Sequence, residues 1–419
     1  MPESGLSIMG RGYSGGDILS GSIFNKCFEW TQADDARSSG VYPYFRPIEG
    51  YEGSHVIIGG KRLLMCGSNN YLGLSVDPRV KAAAARAVED YGTSCSGSRF
   101  LNGTLLLHEQ LEDKLADFTG KESALCFTTG YQTNLGAVTS LLGRGEHIIS
   151  DKLNHASIMD AAFFSQGMNR TVKLHRYRHN DMDDLECLLG RIPRNKPKLI
   201  VTDGVFSMEG TVVDLPRLRQ IADRYNAGVY LDEAHAFGVL GTGGRGTEEH
   251  FGYTAAADLV MGTFSKSFGS IGGFVAGEAK VIDYIKHFAR PIIFSASMPP
   301  ANLAAAMAAL DIIVQEPERV ARLQDIAARM IRGFRDLGFD IGRTETPVIP
   351  LITGAFEPTL NFFHRLYARG IYVNPVLPPA VPPNRCLLRT SYMATMQDDE
   401  LDRFLDIAGD EGRKLGIIG

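Results

Sequence analysis

The chain reads as an α/β protein, a mostly parallel sheet with helices on both faces followed by a smaller C-terminal α/β domain. Three features predict this. Between residues 78 and 276 short apolar runs alternate with amphipathic helical patterns, the order that generates βαβ units. The runs are apolar throughout rather than alternating, as in Gly228-Val-Tyr-Leu231, which suits strands buried on both faces. Two of the runs end at residues that carry chemistry, Asp232 and the lysine-bearing loop after Met261. Open parallel sheets hold ligands beyond those carboxyl ends.

Taken in order, residues 1–16 are rich in Gly and Ser and are expected to be loose. From Asp17 to Arg37, apolar residues at 18, 19, 23, 24, 28 and 30 give an uneven helical face. They predict an N-terminal helix that packs on the body or on a partner subunit. His55-Val-Ile-Ile58 and Lys61-Arg-Leu-Leu-Met-Cys66 flank Gly59-Gly60 and predict a hairpin, because tight two-residue turns need positive φ. Helices are then predicted at 78–91, 105–118, 131–142, 155–165, 181–190 and 214–226, and strands at 122–127, 146–150, 198–202, 228–232, 258–262 and 271–276. After Pro299-Pro300 come helical stretches at 300–315 and 317–337, strands at 347–353 and 386–391, and helices near 356–369 and 397–415. Pro375-Val-Leu-Pro-Pro-Ala-Val-Pro-Pro383 predicts a semi-rigid loop, since proline fixes φ and removes donors. The division that follows is an N-terminal helix and hairpin segment (1–60), a large domain (61–298) and a small one (299–419).

Composition excludes several function classes. The net charge of −5 over 419 residues, with no long basic run, gives no phosphate-neutralising face for nucleic acid. The six cysteines (27, 66, 95, 126, 187, 386) are scattered, with no CxxC and no Cys/His pair at metal spacing. No metal site is expected, and a reduced cytoplasmic protein is. No stretch approaches the roughly 20 apolar residues that cross a bilayer, and the N-terminus carries no secretion signal.

The chemistry centres on Gly262-Thr-Phe-Ser-Lys-Ser-Phe-Gly269. A strand ends there in small and hydroxylated residues, and Lys266 is carried into a cleft. Asp232 closes another strand 34 residues earlier. An amine and an acid at two strand ends suit pyridoxal 5′-phosphate, which needs a lysine for its aldehyde and a carboxylate at its pyridine nitrogen. Lys266 would hold the cofactor as an imine and, once released, take the Cα proton of an amino acid. Thr128-Thr-Gly-Tyr131 precedes a helical pattern, so its unpaired N–H groups would meet the phosphate, with Gly130 allowing close approach and Tyr131 beginning the helix. Thr263 and Ser265 would add hydroxyls from the other side. Arg389 is a charge in the apolar strand Cys386-Leu-Leu-Arg-Thr390. Its planar fork suits a carboxylate, from a substrate or from an internal salt bridge.

Together with Asn154-His-Ala-Ser157, Ser98-Arg-Phe-Leu-Asn-Gly-Thr104 and Asp232-Glu-Ala-His235, these motifs resemble the α-oxoamine synthases, fold-type I pyridoxal-phosphate enzymes that join an amino acid to an acyl thioester with loss of carbon dioxide. The resemblance runs from about residue 40 to the C-terminus, in the family's order. It implies that His155 stacks over the pyridine ring and that His235 reaches the cofactor's phenolic oxygen, with Ser207 a second candidate for that oxygen. It implies further that Arg389 receives the amino-acid carboxylate, that Asn70 contacts ligand, and that Ser295 reaches the phosphate of a neighbouring subunit in a homodimer.

The implied reaction joins L-serine to a long-chain acyl thioester, on coenzyme A or a carrier protein, to give a 3-keto sphingoid base. Such a lipid product would leave by contact with the membrane surface. Glycine or alanine with another acyl thioester is the alternative within the family, and an aminotransferase or lyase outside it. One departure stands out. Some members carry an arginine just before the Pro-Pro pair, where this chain has Val376-Leu377.

Overall fold

The computed structural model of the protein describes residues 22–419. The segment 1–16 and the first part of the expected N-terminal helix, 17–21, lie outside the described residues. The chain divides into two compact units between Arg46 and Pro47. In the first, the described part of the expected helix is two short helices, Asn25–Glu29 and Gln32–Ser38, interrupted at Trp30, whose backbone is extended (φ −86, ψ 101). Residues 23 and 30 fall on one side of a helical wheel and 24 and 28 on another, so no single apolar stripe holds the turns together.

In the second unit the hairpin forms as expected, with His55–Ile58 antiparallel to Lys61–Met65 and both turn glycines at positive φ (57 and 69). Gly50–Glu52 and Ile371–Tyr372 extend it to four strands. Its inner residues Leu63 and Leu64 share a core with Phe334, Phe362 and Phe404 from the C-terminal third.

The large sheet has seven strands: β1 (Ser123–Phe127), β2 (His147–Asp151), β3 (Lys173–Tyr177), β4 (Lys198–Asp203), β5 (Gly228–Asp232), β6 (Leu259–Thr263) and β7 (Gly273–Gly277). They lie in the order β1-β7-β6-β5-β4-β2-β3. Only β7 runs antiparallel to its neighbours. Side chains alternate between faces, so Val229 and Leu231 of β5 enter one core while Tyr230 enters the core on the opposite face. Burying a residue such as Leu231 stabilises by about 1.5–3 kcal/mol, which is why apolar residues occupy both faces. β3 was not expected from sequence. It is an edge strand, and its polar text (Lys-Leu-His-Arg-Tyr) is only partly buried, so it lacks the apolar run that marked its neighbours.

The C-terminal third carries Pro300–Gln315, Glu318–Asp336, Phe356–Ala368 and Asp398–Lys414 as helices around the antiparallel strands Val348–Gly354, Cys386–Ser391 and Asn374–Val376. The expected proline-rich loop begins one element later than its sequence suggested. Pro375 is inside a strand, tolerated because that strand is at the sheet edge. Among the described residues no helix is long and apolar enough to cross a membrane. The carboxyl ends of β4, β5 and β6 lie side by side, with Asp203 in register with Asp232 and Asp232 with Met261.

Candidate active site

Asp232 is the last residue of β5, 3% exposed. Its Oδ1 accepts from the Ala234 N–H at 2.9 Å and its Oδ2 from Asn134 Nδ2 at 2.7 Å. No described cation lies in ion-pair contact with it. Three residues past the end of β6, Lys266 turns into the same space on a loop that ends at Gly269 (φ 59). Among the described residues its amine has no hydrogen bond or ion pair. Burial brings the ammonium down to about 8, against the pull of Asp232 and Asp203 and with help from Arg389. A half-buried amine without an acceptor is costly, and here it faces a cavity of about 300 Å³ that Asp232, His155, His235 and Thr263 also line. Lys266 borders a second cavity too, of about 260 Å³, with Ser68, Asn69 and Asn70 on its wall.

Two neutral histidines flank the first cavity. His155 caps the helix Ala156–Met168, its Nδ1 accepting from the Ser157 N–H at 3.3 Å and hydroxyl at 2.7 Å. Burial lowers its pKa, partly offset by Asp232. The ring of His235 sits 2.7 Å through Nδ1 from the Tyr71 hydroxyl. Burial, then Lys266 and Arg389, hold it well below the ordinary imidazole range.

An anion-binding end is built opposite. Thr129 caps the helix Gly130–Leu141 by accepting from the Gln132 N–H at 3.1 Å, leaving neighbouring N–H groups at the cavity wall. A Cβ on Gly130 would come 2.7 Å from Thr263 Oγ1, so only glycine lets strand and helix approach this closely. Thr263 donates to Gly272 O at 2.9 Å and lies 3.0 Å from the hydroxyl of Ser265. Tyr131 lines the cavity but sends its hydroxyl to Asp160.

Arg389 is 6% exposed. Its Nε donates to Ser207 O at 2.6 Å and its Nη2 to Asn69 Oδ1 at 2.9 Å. The internal salt bridge that the sequence allowed is not formed; no carboxylate contacts the guanidinium among the described residues. Asn70 accepts from the Ser75 N–H through Oδ1 at 3.3 Å. Three expected residues, Arg389, Ser207 and Ser295, line neither cavity. Ser207 contributes a carbonyl to Arg389, and Ser295 receives a 3.4 Å hydrogen bond from Gln132 Nε2 within this chain.

Sequence reasoning missed four residues that the structure brings in. Asp203 ends β4 as Asp232 ends β5, and the expected strand stopped one residue short of it. It is buried, and its Oδ1 has no partner. Burial and the Asp232 charge push its carboxyl well above the usual range. Asn134 and Ser157 are buried on helices, and Tyr71 in the loop after the hairpin; a polar residue inside an otherwise apolar helical face was the available signal for Asn134. No group of residues able to hold a metal ion is present among those described.

The donor set suits pyridoxal phosphate. An unpartnered amine and an uncompensated carboxylate share one cavity, with a helix N-terminus and hydroxyls at its other end. Comparison with known proteins agrees. Residues 62–407 match the family "Aminotransferase class I and II". The chain is 47% identical over 386 residues to a serine palmitoyltransferase of Sphingobacterium spiritivorum, covering 92% of this chain and 96% of the relative. It is 43% identical over 385 residues to an 8-amino-7-oxononanoate synthase of Geobacter sulfurreducens, covering 91% and 97%. Among solved structures, a serine palmitoyltransferase from S. paucimobilis with a bound PLP–myriocin compound superposes with a TM-score of 0.90 at 34% identity, covering 96% of this chain and all of that one. The chain belongs to the aminotransferase class I and II family, within its α-oxoamine synthase group.

Proposed function

We propose that this chain condenses L-serine with a long-chain acyl thioester, releasing carbon dioxide and a 3-keto sphingoid base, with pyridoxal phosphate bound at Lys266. The observation that carries the reading is the placement of Lys266, unpartnered between the cavity of Asp232 and the cavity of Asn70. When bound, pyridoxal phosphate supplies a conjugated ring that accepts the electrons of a bond broken at the amino acid's Cα.

The chain's own residues do the rest. Asp232, fixed in place by Asn134 and the Ala234 N–H, would hold the ring nitrogen. His155 and His235, which line the cavity, would hold the ring face and the phenolic oxygen, and Ser207, off the cavity wall in this chain, would serve that oxygen only after a shift of its side chain. The N–H groups at Thr129 and Gly130 would hold the phosphate together with the hydroxyls of Thr263 and Ser265, with Tyr131 beside them on the cavity wall. Ser295 reaches the phosphate of the other subunit, which makes the working unit a homodimer. Arg389, with two neutral acceptors and no carboxylate, takes the carboxylate of serine, and Asn70 contacts the substrate. Lys266 Nζ, once released from the cofactor, would accept the proton from Cα as a general base. The enzyme acts in the cytoplasm and meets the inner membrane face to release its lipid product.

The resemblance to 8-amino-7-oxononanoate synthase supports a second reading, glycine or alanine with a different acyl thioester. A panel of serine, glycine and alanine against short and long acyl thioesters, with mass detection of the ketone, tests both. Predominant product from serine and the long chain is expected. Predominant product from glycine or alanine would replace the first reading with the second.

A further inference from the structure

The buried polar residues behind the cavity form one directed chain of hydrogen bonds. Tyr230 OH is 2.9 Å from Asn134 Oδ1, and Asn134 Nδ2 is 2.7 Å from Asp232 Oδ2 and 2.9 Å from Ser157 Oγ. Ser157 Oγ is 2.7 Å from His155 Nδ1. Tyr230 and Asn134 are fully buried and Ser157 is 1% exposed, so no solvent substitutes for these partners.

The directions follow from donor chemistry. An ionised carboxylate only accepts, so the NH₂ end of Asn134 must face Asp232 and its Oδ1 must accept from Tyr230. The second N–H of that NH₂ then points at Ser157 Oγ, which accepts it. The Ser157 proton is left for His155 Nδ1, to which the Ser157 backbone N–H also points, at 3.3 Å. With Nδ1 occupied as an acceptor, a neutral His155 carries its proton on Nε2, on the side of the ring away from Ser157.

We propose that Asn134 and Ser157 are positioning residues that couple the carboxylate of Asp232 to the tautomer of His155, presenting Nε2–H as the donor offered to whatever occupies the cavity. The inference deepens the function proposed above and rests on it for the use made of His155. The tautomer itself follows from the contacts alone. Asp232, Lys266 and Asp160 act on the ring electrostatically, as His155 does on His235, and Asp203 Oδ2 accepts from the His155 backbone N–H at 3.2 Å. Protonating Nδ1 would set it against the Ser157 backbone N–H and turn the Ser157 hydroxyl proton away from its acceptor.

The test is nitrogen NMR of the full chain labelled with ¹⁵N-histidine, with pyridoxal phosphate bound, the His155 signals being assigned by their loss in His155→Phe. The wild type is expected to show the Nε2–H tautomer. In Ser157→Ala the ring should titrate about one pH unit higher, the size of one lost hydrogen bond to the neutral form. Ser157→Thr should restore the wild-type midpoint. Asn134→Ala should shift the midpoint in the same direction as Ser157→Ala, and the double variant should add nothing to either, as members of one network do. Should Asn134→Ala fail to fold, the Ser157 pair of variants carries the test alone. A proton found on Nδ1 in the wild type, or an unchanged tautomer and midpoint in Ser157→Ala, would overturn the proposal. The same spectra of the cofactor-free chain carry the same expectation, so failure to bind pyridoxal phosphate overturns the functional reading and leaves this one to be judged separately.

Discussion

The two ends of the parallel strands in the large sheet make an instructive pair. At the amino ends a cavity of about 310 Å³ is lined by His147, Lys198 and Asp258, in size a match for the one at the carboxyl ends. These three side chains all have partners. Lys198 Nζ donates to the carbonyls of Lys196, Arg194 and Pro193 at 2.7, 3.1 and 3.4 Å. Asp258 Oδ2 accepts from the Val229 N–H at 2.7 Å and from Arg219 at 3.3 Å. His147 stacks on His175, with ring nitrogens 2.9 Å apart. At the carboxyl ends Lys266 has no partner, Asp203 Oδ1 has none, and Arg389 has only neutral ones. Volume does not distinguish the ends; unanswered charge does. Buried charges left without partners cost stability, and a fold keeps them where a ligand completes them.

The comparison breaks first at the lysines. Lys266→Ala should lower the rate of carbon dioxide release by about 10³-fold or more, since it removes both the anchor and the base. Lys198→Met should leave the rate unchanged and lower Tm. Equal losses in the two variants would erase the distinction. Arg389→Gln comes next. It should raise the KM for the amino acid by about 100-fold, the worth of a charge-assisted carboxylate pair, with little effect on the KM for thioester.

Stability against pH sharpens the comparison. In the cofactor-free chain Lys266 loses its proton at about 8, against 10.5 for an ordinary lysine. Below about 8 both folded and unfolded chains hold that proton, and the cost of burying the charge is felt in full. Between about 8 and 10.5 the unfolded chain binds more protons, so stability rises with pH. Relative to Lys266→Met, the wild type should gain about 2–3 kcal/mol across that window, allowing for solvent that reaches the cavity; urea unfolding at a series of pH values measures it. A smaller effect is expected at Gly130. Gly130→Ala must displace Thr263 Oγ1, an overpacking cost of about 1–2 kcal/mol, and should weaken pyridoxal phosphate binding about 10-fold in a spectrophotometric titration.

The sheet was legible where strands are buried on both faces, because burial writes an apolar run into the text and the chemistry stands at its end. Asp232 and Lys266 were visible for that reason, and the motifs around His155 and His235 drew attention to them. The edge strand at 173–177 was not legible, since half-exposed strands carry no such run. Nor were the residues that hold the visible ones in place. Asn134 meets Asp232 across 98 positions of sequence, and Tyr71 meets His235 across 164. A buried amide or hydroxyl has meaning only through the partner that folding brings to it. The N-terminal helix breaks at Trp30 for a related reason, since its apolar residues do not share a side.

The most direct measurement is reduction of the pyridoxal-phosphate-loaded protein with borohydride, followed by peptide mapping on a mass spectrometer. The account predicts a single phosphopyridoxyl group on the peptide that contains Lys266. Stoichiometric label on Lys198 or another lysine, with Lys266 unmodified, would contradict it.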